Sequence, residues 1–352
     1  MARFILNRFL YGLAVLLGVV VLVFLLFQGL PGDPARLTMG QRTDERSLEA
    51  VRKEMGLDKS KTTQLLYYLN DLSPLGTVPR DTALSKRYSY TPLFNVSDER
   101  VFAVKSPYLR YSYQLNKPVI DMLGDALPNT IVLAVAAMFI AVVLGILFGV
   151  LSALFHNGLV DRVLVFISIT GISVPSFFSA IVFQWLFAYV WSRHTGLDVT
   201  GNLFAYDLYG NPHLVLKNLL LPAITLGIRP LAIITQLTRS SMLDVMQMDF
   251  IRTARAKGLS ETTVVWRHAL RNSLNPVVTA ITGWFAELLA GAFFIELIFG
   301  WNGIGKLTVE ALNKNDFPVL MGSVLLAAVL FIVMSIITDI LYGVIDPRIR
   351  KE

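Results

Sequence analysis

Residues 249–276 read DFIRTARAKGLSETTVVWRHALRNSLNP, a polar, basic stretch inserted between two long apolar runs. Asp249 opens it, and Phe250 to Lys257 reads as a short helix, with Ala254 and Ala256 small and Arg252, Arg255 and Lys257 basic. Gly258 stands where a helix ends in a left-handed residue. Ser260 then offers an N-cap, with Glu261 in the first turn, where the helix dipole favours an acid. A second helix is expected through Trp266 to about Leu270, and Pro276 begins the next apolar segment. Two short helices around a glycine, tethered to spans at both ends, make a compact knob facing water. Composition alone equally fits a basic loop that sets topology or touches lipid. A DNA-reading helix–turn–helix fits poorly, because both flanks are spans.

The rest of the chain agrees with a membrane setting. Of 352 residues, 54% are apolar and only 16% charged, and the mean hydropathy is +0.58. That balance is too apolar for a soluble domain of this size and fits several membrane spans. The net charge of +6 needs no nucleic acid, since much of the basic excess flanks the spans. With no cysteine, disulfides, thiolate catalysis and cysteine metal sites are excluded. His156, His194, His213 and His268 lack ligand-like spacing, so no metal site is expected. No catalytic set is visible either.

Six spans follow in order. Phe9 to Phe27 is an unbroken apolar run long enough to cross a bilayer, read as an uncleaved first span. Residues 31–127 form a polar segment in which Thr43 to Met55 reads as an amphipathic helix closed by Gly56. Within it, 77–116 carry many tyrosines and charges without a usable period, and read as an insertion. Span two covers about Ile131 to Phe155, with Gly145 and Gly149 placed for close helix packing. Span three, Val163 to about Trp191, contains Pro175, which should break or kink it. Span four runs from Leu219 to about Ser240, span five from Val277 to Phe299, and span six from Pro318 to Val344. The domain reading is therefore a first helix at 1–30, the 31–127 segment, a five-helix core at 128–345 with the loop at 241–275, and a tail at 346–352.

Charge sets the orientation. About twelve basic residues lie on the side that holds both termini and the 249–276 loop, against about four on the opposite short loops. The loop and both termini are thus expected in the cytoplasm, and 31–127 outside. Arg229 and Glu287 lie deepest in spans four and five, where a charge is costly unless it meets a cavity or a partner. They are candidates to line or gate a path, as a pair or against the charged ends of a zwitterion, or else a structural ion pair. Glu296 and Asp339 lie nearer span ends and read as interfacial. Gly300 to Lys306 fits most of a nucleotide-binding loop, G-x-x-x-x-G-K, but Leu307 replaces the hydroxyl residue and the stretch follows a membrane span.

The order of the words carries a resemblance. A-x-A-x-G at 254–258, followed about seventeen residues later by Asn275-Pro276, resembles the EAA loop of permease subunits of ABC importers. RTARAKGL and RHALRNSL-P are similar to the dipeptide/oligopeptide/nickel permease family, in its B-type subunit; Thr253 stands where the signature has Glu. LPGDPA at the end of span one, GLD at 56–58, Leu127-Pro-Asn-Thr130, SVPSF at 173–177, FFIELIFGWNGIG and the terminal DPR look like the same family, with Asn302 replacing a proline. The resemblance implies an all-α polytopic membrane protein: six transmembrane helices of the type I ABC importer permease fold, with a large extracytoplasmic loop between spans one and two. It implies a bacterial inner-membrane subunit, not itself an enzyme and without a cofactor, ATP being bound by partners. Those partners would be a second similar permease subunit, two cytoplasmic ATPases and an extracytoplasmic binding protein, besides membrane lipid. Coupling would fall on Asp249, Phe250, Arg252, Thr253, Ala254, Arg255, Ala256, Lys257, Gly258 and Leu259, and the path on Arg229, Glu287 and Pro175. Di- and oligopeptides are the central substrates of that family, though nickel-chelate and glutathione importers share its words. A lone ion-coupled transporter or channel is the competing class.

Overall fold

The computed structural model describes residues 2–29, 35–36, 44–55, 57–80, 88–207, 209–290 and 292–345. The LPGDPA turn (but for Ala35), Gly56 and the terminal DPR lie outside them. The helices are α1 (Ala2–Gly29), α2 (Glu45–Met55), α3 (Lys61–Leu72), α4 (Val119–Leu154), α5 (Leu159–Ser173), α6 (Ser176–Phe183), α7 (Ser192–Thr195), α8 (Lys217–Met246), α9 (Asp249–Ala256), α10 (261–273), α11 (Asn275–Ala290), α12 (Phe293–Phe299), α13 (Ile304–Asn313) and α14 (Phe317–Ile345). Four of them, α1, α4, α8 and α14, are long and apolar enough to cross a membrane. Two bent pairs, α5–α6 and α11–α12, bring the number to six if each is one span. The chain divides into two compact units: residues 1–12, 126–306 and 329–352 in the first, 13–125 and 307–328 in the second.

In the first unit α4 and α8 approach closely at small residues. A Cβ on Gly145 would lie 2.8 Å from Ile234, one on Gly149 2.4 Å from Thr238 and 2.8 Å from the Thr235 carbonyl, and one on Gly227 2.7 Å from the Ala137 carbonyl. Such small-residue contacts let helices pack in lipid, where no hydrophobic force drives them together. Leu133, Ala134, Ala137 and Ala141 of α4 and Leu221, Ala223 and Ile234 of α8 are buried in the same apolar cluster.

A polar knot closes one end of this unit. Glu296, read from the sequence as interfacial, is fully buried. Its Oε1 accepts from the Thr130 hydroxyl (2.8 Å), and its Oε2 from the backbone N–H of Gly305 (2.7 Å) and Lys306 (3.1 Å). The carboxylate thus sits at the N-terminus of α13, where free amides and the helix dipole favour an anion. The glycines make the room: a Cβ on Gly303 would be 2.4 Å from the Glu296 carboxylate, and one on Gly305 2.6 Å from Phe293 Cα. Trp301, also fully buried, donates its indole N–H to the Asn129 carbonyl (2.9 Å). The sequence placed Glu296 near a span end; that span turns there, at the left-handed Gly300 (φ 69°), and folds its last residues inward.

The second unit holds α2, α3 and a three-stranded antiparallel sheet, β1 (Leu75–Pro79), β3 (Arg100–Lys105) and β2 (Tyr90–Ser97), in the order β1–β3–β2. Nearly all of this sheet lies within 77–116, the stretch without a legible period. Pro92 interrupts β2, nearly all of whose residues are exposed, and β3 turns a lysine inward, so apolar–polar alternation fails in both. Lys105 Nζ donates to the carbonyls of Asn70 (2.5 Å) and Asp71 (3.0 Å), and the Tyr88 hydroxyl to Asp71 Oδ1 (2.6 Å). Burial raises the Asp71 carboxyl above its usual range and lowers the Lys105 ammonium below its own. A second, two-stranded sheet, β4 (Phe204–Tyr206) with β5 (Pro212–Leu214), belongs to the first unit.

Two outcomes follow for thermal melting in detergent. Gly149→Val forces α4 from α8 and should cost about 1–3 kcal/mol or prevent assembly, whereas Gly124→Ala, in a helix with nothing within 4 Å, should be neutral or stabilising by up to about 1 kcal/mol. Glu296→Ala strands three buried donors and leaves a void, so it should cost about 3 kcal/mol or more, with Glu296→Gln falling between it and wild type.

Candidate functional site

Two regions of the first unit carry the candidate residues. The first is the knob at 249–273. Ile251 and Ala254 of α9 are buried among Val150 and Ala153 of α4, Met242 and Val245 of α8, and Val264, Val265, Ala269 and Leu270 of α10. Gly258 adopts φ +78°, and Ser260 accepts from the Thr263 N–H at 3.4 Å as the cap of α10. Arg255 closes the turn between the helices by a bidentate pair to Glu261, at 2.8 and 3.2 Å. Residues 264–269 wind as a π-helix. Its wider turn brings two pairs five residues apart, Val264/Val265 and Ala269/Leu270, onto one buried side. α10 therefore runs further than the sequence suggested. The other face of α9 is open: Asp249, Phe250, Arg252, Thr253, Arg255 and Ala256 are exposed, as are Lys257, Gly258 and Leu259 after it.

A clasp that sequence reasoning missed fastens this knob's stem. Asp161, buried at the start of α5, is held bidentately by Arg239 of α8 (2.7 and 2.8 Å) and receives the Asn157 N–H (2.9 Å) and the Ser152 hydroxyl. In the sequence, Asp161 and Arg239 are 78 residues apart and read only as charges near span ends. The signal available was an acid beside Asn157-Gly158 in a very short connector, where a turn needs an acceptor. Asp339 of α14 pairs with Arg8 of α1 at 3.1 Å.

The second region is a cleft, open to solvent at its mouth, whose lining includes Ser176, Leu226, Arg229, Pro230, Trp284, Glu287, Phe293 and Phe294. Irregular backbone borders it on three sides. Pro175 ends α5, and α6 departs at 109°; α11 and α12 meet at 58°. Pro230 lies within α8 and has no N–H, so the Leu226 carbonyl loses its helical donor in the same turn. Backbone of this kind is tolerated at membrane depth only where protein or a cavity covers it. Arg229 and Glu287 both line the cleft, but among the described residues no ion pair within 4.0 Å joins them and neither side chain makes a hydrogen bond. Of the three path candidates, Pro175 precedes the lining residue Ser176 without being part of the lining.

The stretch 300–306, which resembles a phosphate loop in its spacing, encloses an anion of the chain's own. Its Gly305 and Lys306 amides are occupied by Glu296, and Lys306 Nζ donates to Asn302 Oδ1 (2.8 Å).

With this geometry in view, the comparisons with known proteins are informative. The family model described as binding-protein-dependent transport system inner membrane component matches residues 145–351, and its N-terminal companion matches 1–134. The chain is 32% identical to the dipeptide transport system permease protein DppB of Alkalihalophilus pseudofirmus, covering 99% of this chain and 100% of that one. It is 33% identical to the glutathione transport system permease protein GsiC of Pectobacterium atrosepticum, over the full length of both. Among solved structures, the MetNI methionine ABC transporter in an inward-facing conformation superposes with a TM-score of 0.51 at 16% identity, covering 64% of this chain and 97% of that one. The fold is thus the type I ABC importer permease fold, and the chain belongs to the family of binding-protein-dependent transport system inner-membrane components.

Proposed function

We propose that this chain is a permease subunit of an ATP-driven importer for di- or oligopeptides, lining half of a path that passes the cleft at Arg229 and Glu287. The observation that carries the proposal is the open face of α9. Met248, Phe250, Leu259 and Trp266 are 39–51% exposed on a knob otherwise polar and basic. Exposed apolar side chains on and beside a helix of this kind suit contact with a partner, while Ile251 and Ala254 fix the knob to α4 and α8 beneath. The partners inferred are two cytoplasmic ATPases gripping α9, a second, similar permease subunit, and a binding protein outside. ATP belongs to the ATPases; no cofactor is assigned to this chain. The excess of basic residues on the side of 249–273 supports a cytoplasmic knob and cytoplasmic termini in a bacterial inner membrane. The peptide substrate is inferred from the relatives' names, with glutathione, itself a peptide, as the nearest alternative.

Mechanistically, nucleotide closes the ATPases, α9 moves with them, and the packed ends of α4, α5 and α8 follow as a body. The cleft then changes the side to which it opens. The chain supplies a two-state element and the ATPases bias it.

The test is a pull-down of tagged transporter with ATP-driven uptake in proteoliposomes. Phe250→Asp changes an exposed residue and should retain the fold, yet lower ATPase capture or ATP-driven uptake roughly thirtyfold, as loss of a central aromatic anchor does. Gly258→Asp, strained at φ +78°, should act in the same direction. Uptake by the isolated chain without ATP would sink the proposal in favour of an ion-coupled carrier.

A further inference from the structure

Among the described residues, the side chains of Arg229 and Glu287 meet no partner, although depth in a span favours one. Arg229 lies midway along the 30-residue α8, and Glu287 lies near the middle of the bent pair α11–α12. Insertion of either charge at such depth is costly and pairing would offset much of that cost, yet among the described residues no ion pair or side-chain hydrogen bond reaches either one. Both line the same cleft, whose other walls include Leu226, Trp284, Phe293 and Phe294. Opposite charges that share a largely apolar and aromatic cleft without pairing match a small molecule with opposite charges at its two ends and a variable apolar middle.

We propose that Arg229 and Glu287 form a two-point charge filter within the membrane: Arg229 receives the C-terminal carboxylate and Glu287 the N-terminal ammonium of a short, unblocked peptide. The proposal rests on the peptide reading above and adds a selectivity step made by the permease itself. Side chains between the ends meet a wall that is apolar but for Ser176 and the Trp284 indole, so the filter reads free termini and tolerates sequence. Lone Arg229 or Glu287 charges would be poor lipid-facing groups; a ligand bearing both opposite charges satisfies each at once.

The experiment uses the complete transporter in proteoliposomes, without nucleotide or binding protein. Tritiated Ala-Ala is displaced by unlabelled Ala-Ala, N-acetyl-Ala-Ala or Ala-Ala amide. In the wild type each blocking group should weaken displacement at least tenfold, the worth of one charge-assisted contact. Glu287→Gln should abolish the acetylation penalty to within twofold and keep the amidation penalty; Arg229→Gln should do the reverse. Each protein is its own reference, so a lower yield does not affect the reading, and either variant decides alone if the other fails to assemble. Penalties unchanged in both variants, or both lost together in each, overturn the filter and leave a structural role. Absence of displaceable Ala-Ala binding overturns it as well. ATP-driven Ala-Ala uptake in the same vesicles separates the two claims: uptake with no terminus-specific effect removes the filter alone, and no uptake removes the peptide reading with it.

Discussion

A carboxylate cut off from water must be matched by donors or it costs several kcal/mol, and Glu296 is fully buried. Three donors converge on it: the Thr130 hydroxyl and the amides of Gly305 and Lys306. Much else follows from satisfying that one group. Gly303 and Gly305 must lack side chains, because a Cβ at either would strike the carboxylate or the backbone of Phe293. The chain must reverse at Gly300, in the left-handed region, to bring α13 back onto α12. Thr130 does two jobs, donating to Glu296 and accepting from the Ile304 N–H at 2.9 Å, which fixes α4 to the loop. Residues separated by more than 160 positions are therefore held in one register by a charge that cannot be left unmatched.

Near the loop at 249–273 the fastening is of a different kind. There the ends of α4 and α8 share an apolar cluster with α9 and α10, and the Asp161–Arg239 clasp adds α5. An apolar cluster resists separation but has no direction, whereas a bidentate guanidinium–carboxylate pair is strongly oriented. Together they join the stems of three helices to α9 in one packed piece. The Arg255–Glu261 pair and the Gly258 turn keep the knob itself in one shape.

The parts of this structure legible in the sequence are those written locally. The glycine turn, the Ser260 cap, the small residues at Gly145 and Gly149 and the break at Pro175 each follow from one residue's own geometry. What escaped depends on distant partners. Glu296 looked like a residue at the end of a span because nothing beside it in the sequence shows that Thr130 reaches it. Asp161 and Arg239 each looked like ordinary flanking charge. The sheet at 75–105 was hidden for the opposite reason: local signals were present but contradictory, with Pro92 inside one strand and Lys105 facing inward on the other. The G-x-x-x-x-G-K spacing at 300–306 shows that even a correct physical intuition, amides around an anion, needs the fold to say whose anion it is.

The distribution of order along the spans completes the argument. The matched polar groups of the first unit gather at the Glu296 knot and the Asp161 clasp, while small residues pack α4 on α8 along their middle. The spans also hold the 109° and 58° breaks, the proline inside α8 and two charges that no described residue pairs. Had stability alone shaped these spans, continuous helices and apolar side chains would serve better, because broken hydrogen-bond ladders and lone charges are costly in hydrocarbon. Packed helices joined through such breaks allow rigid-body rocking, in which the packed regions keep their contacts and the change concentrates at the breaks.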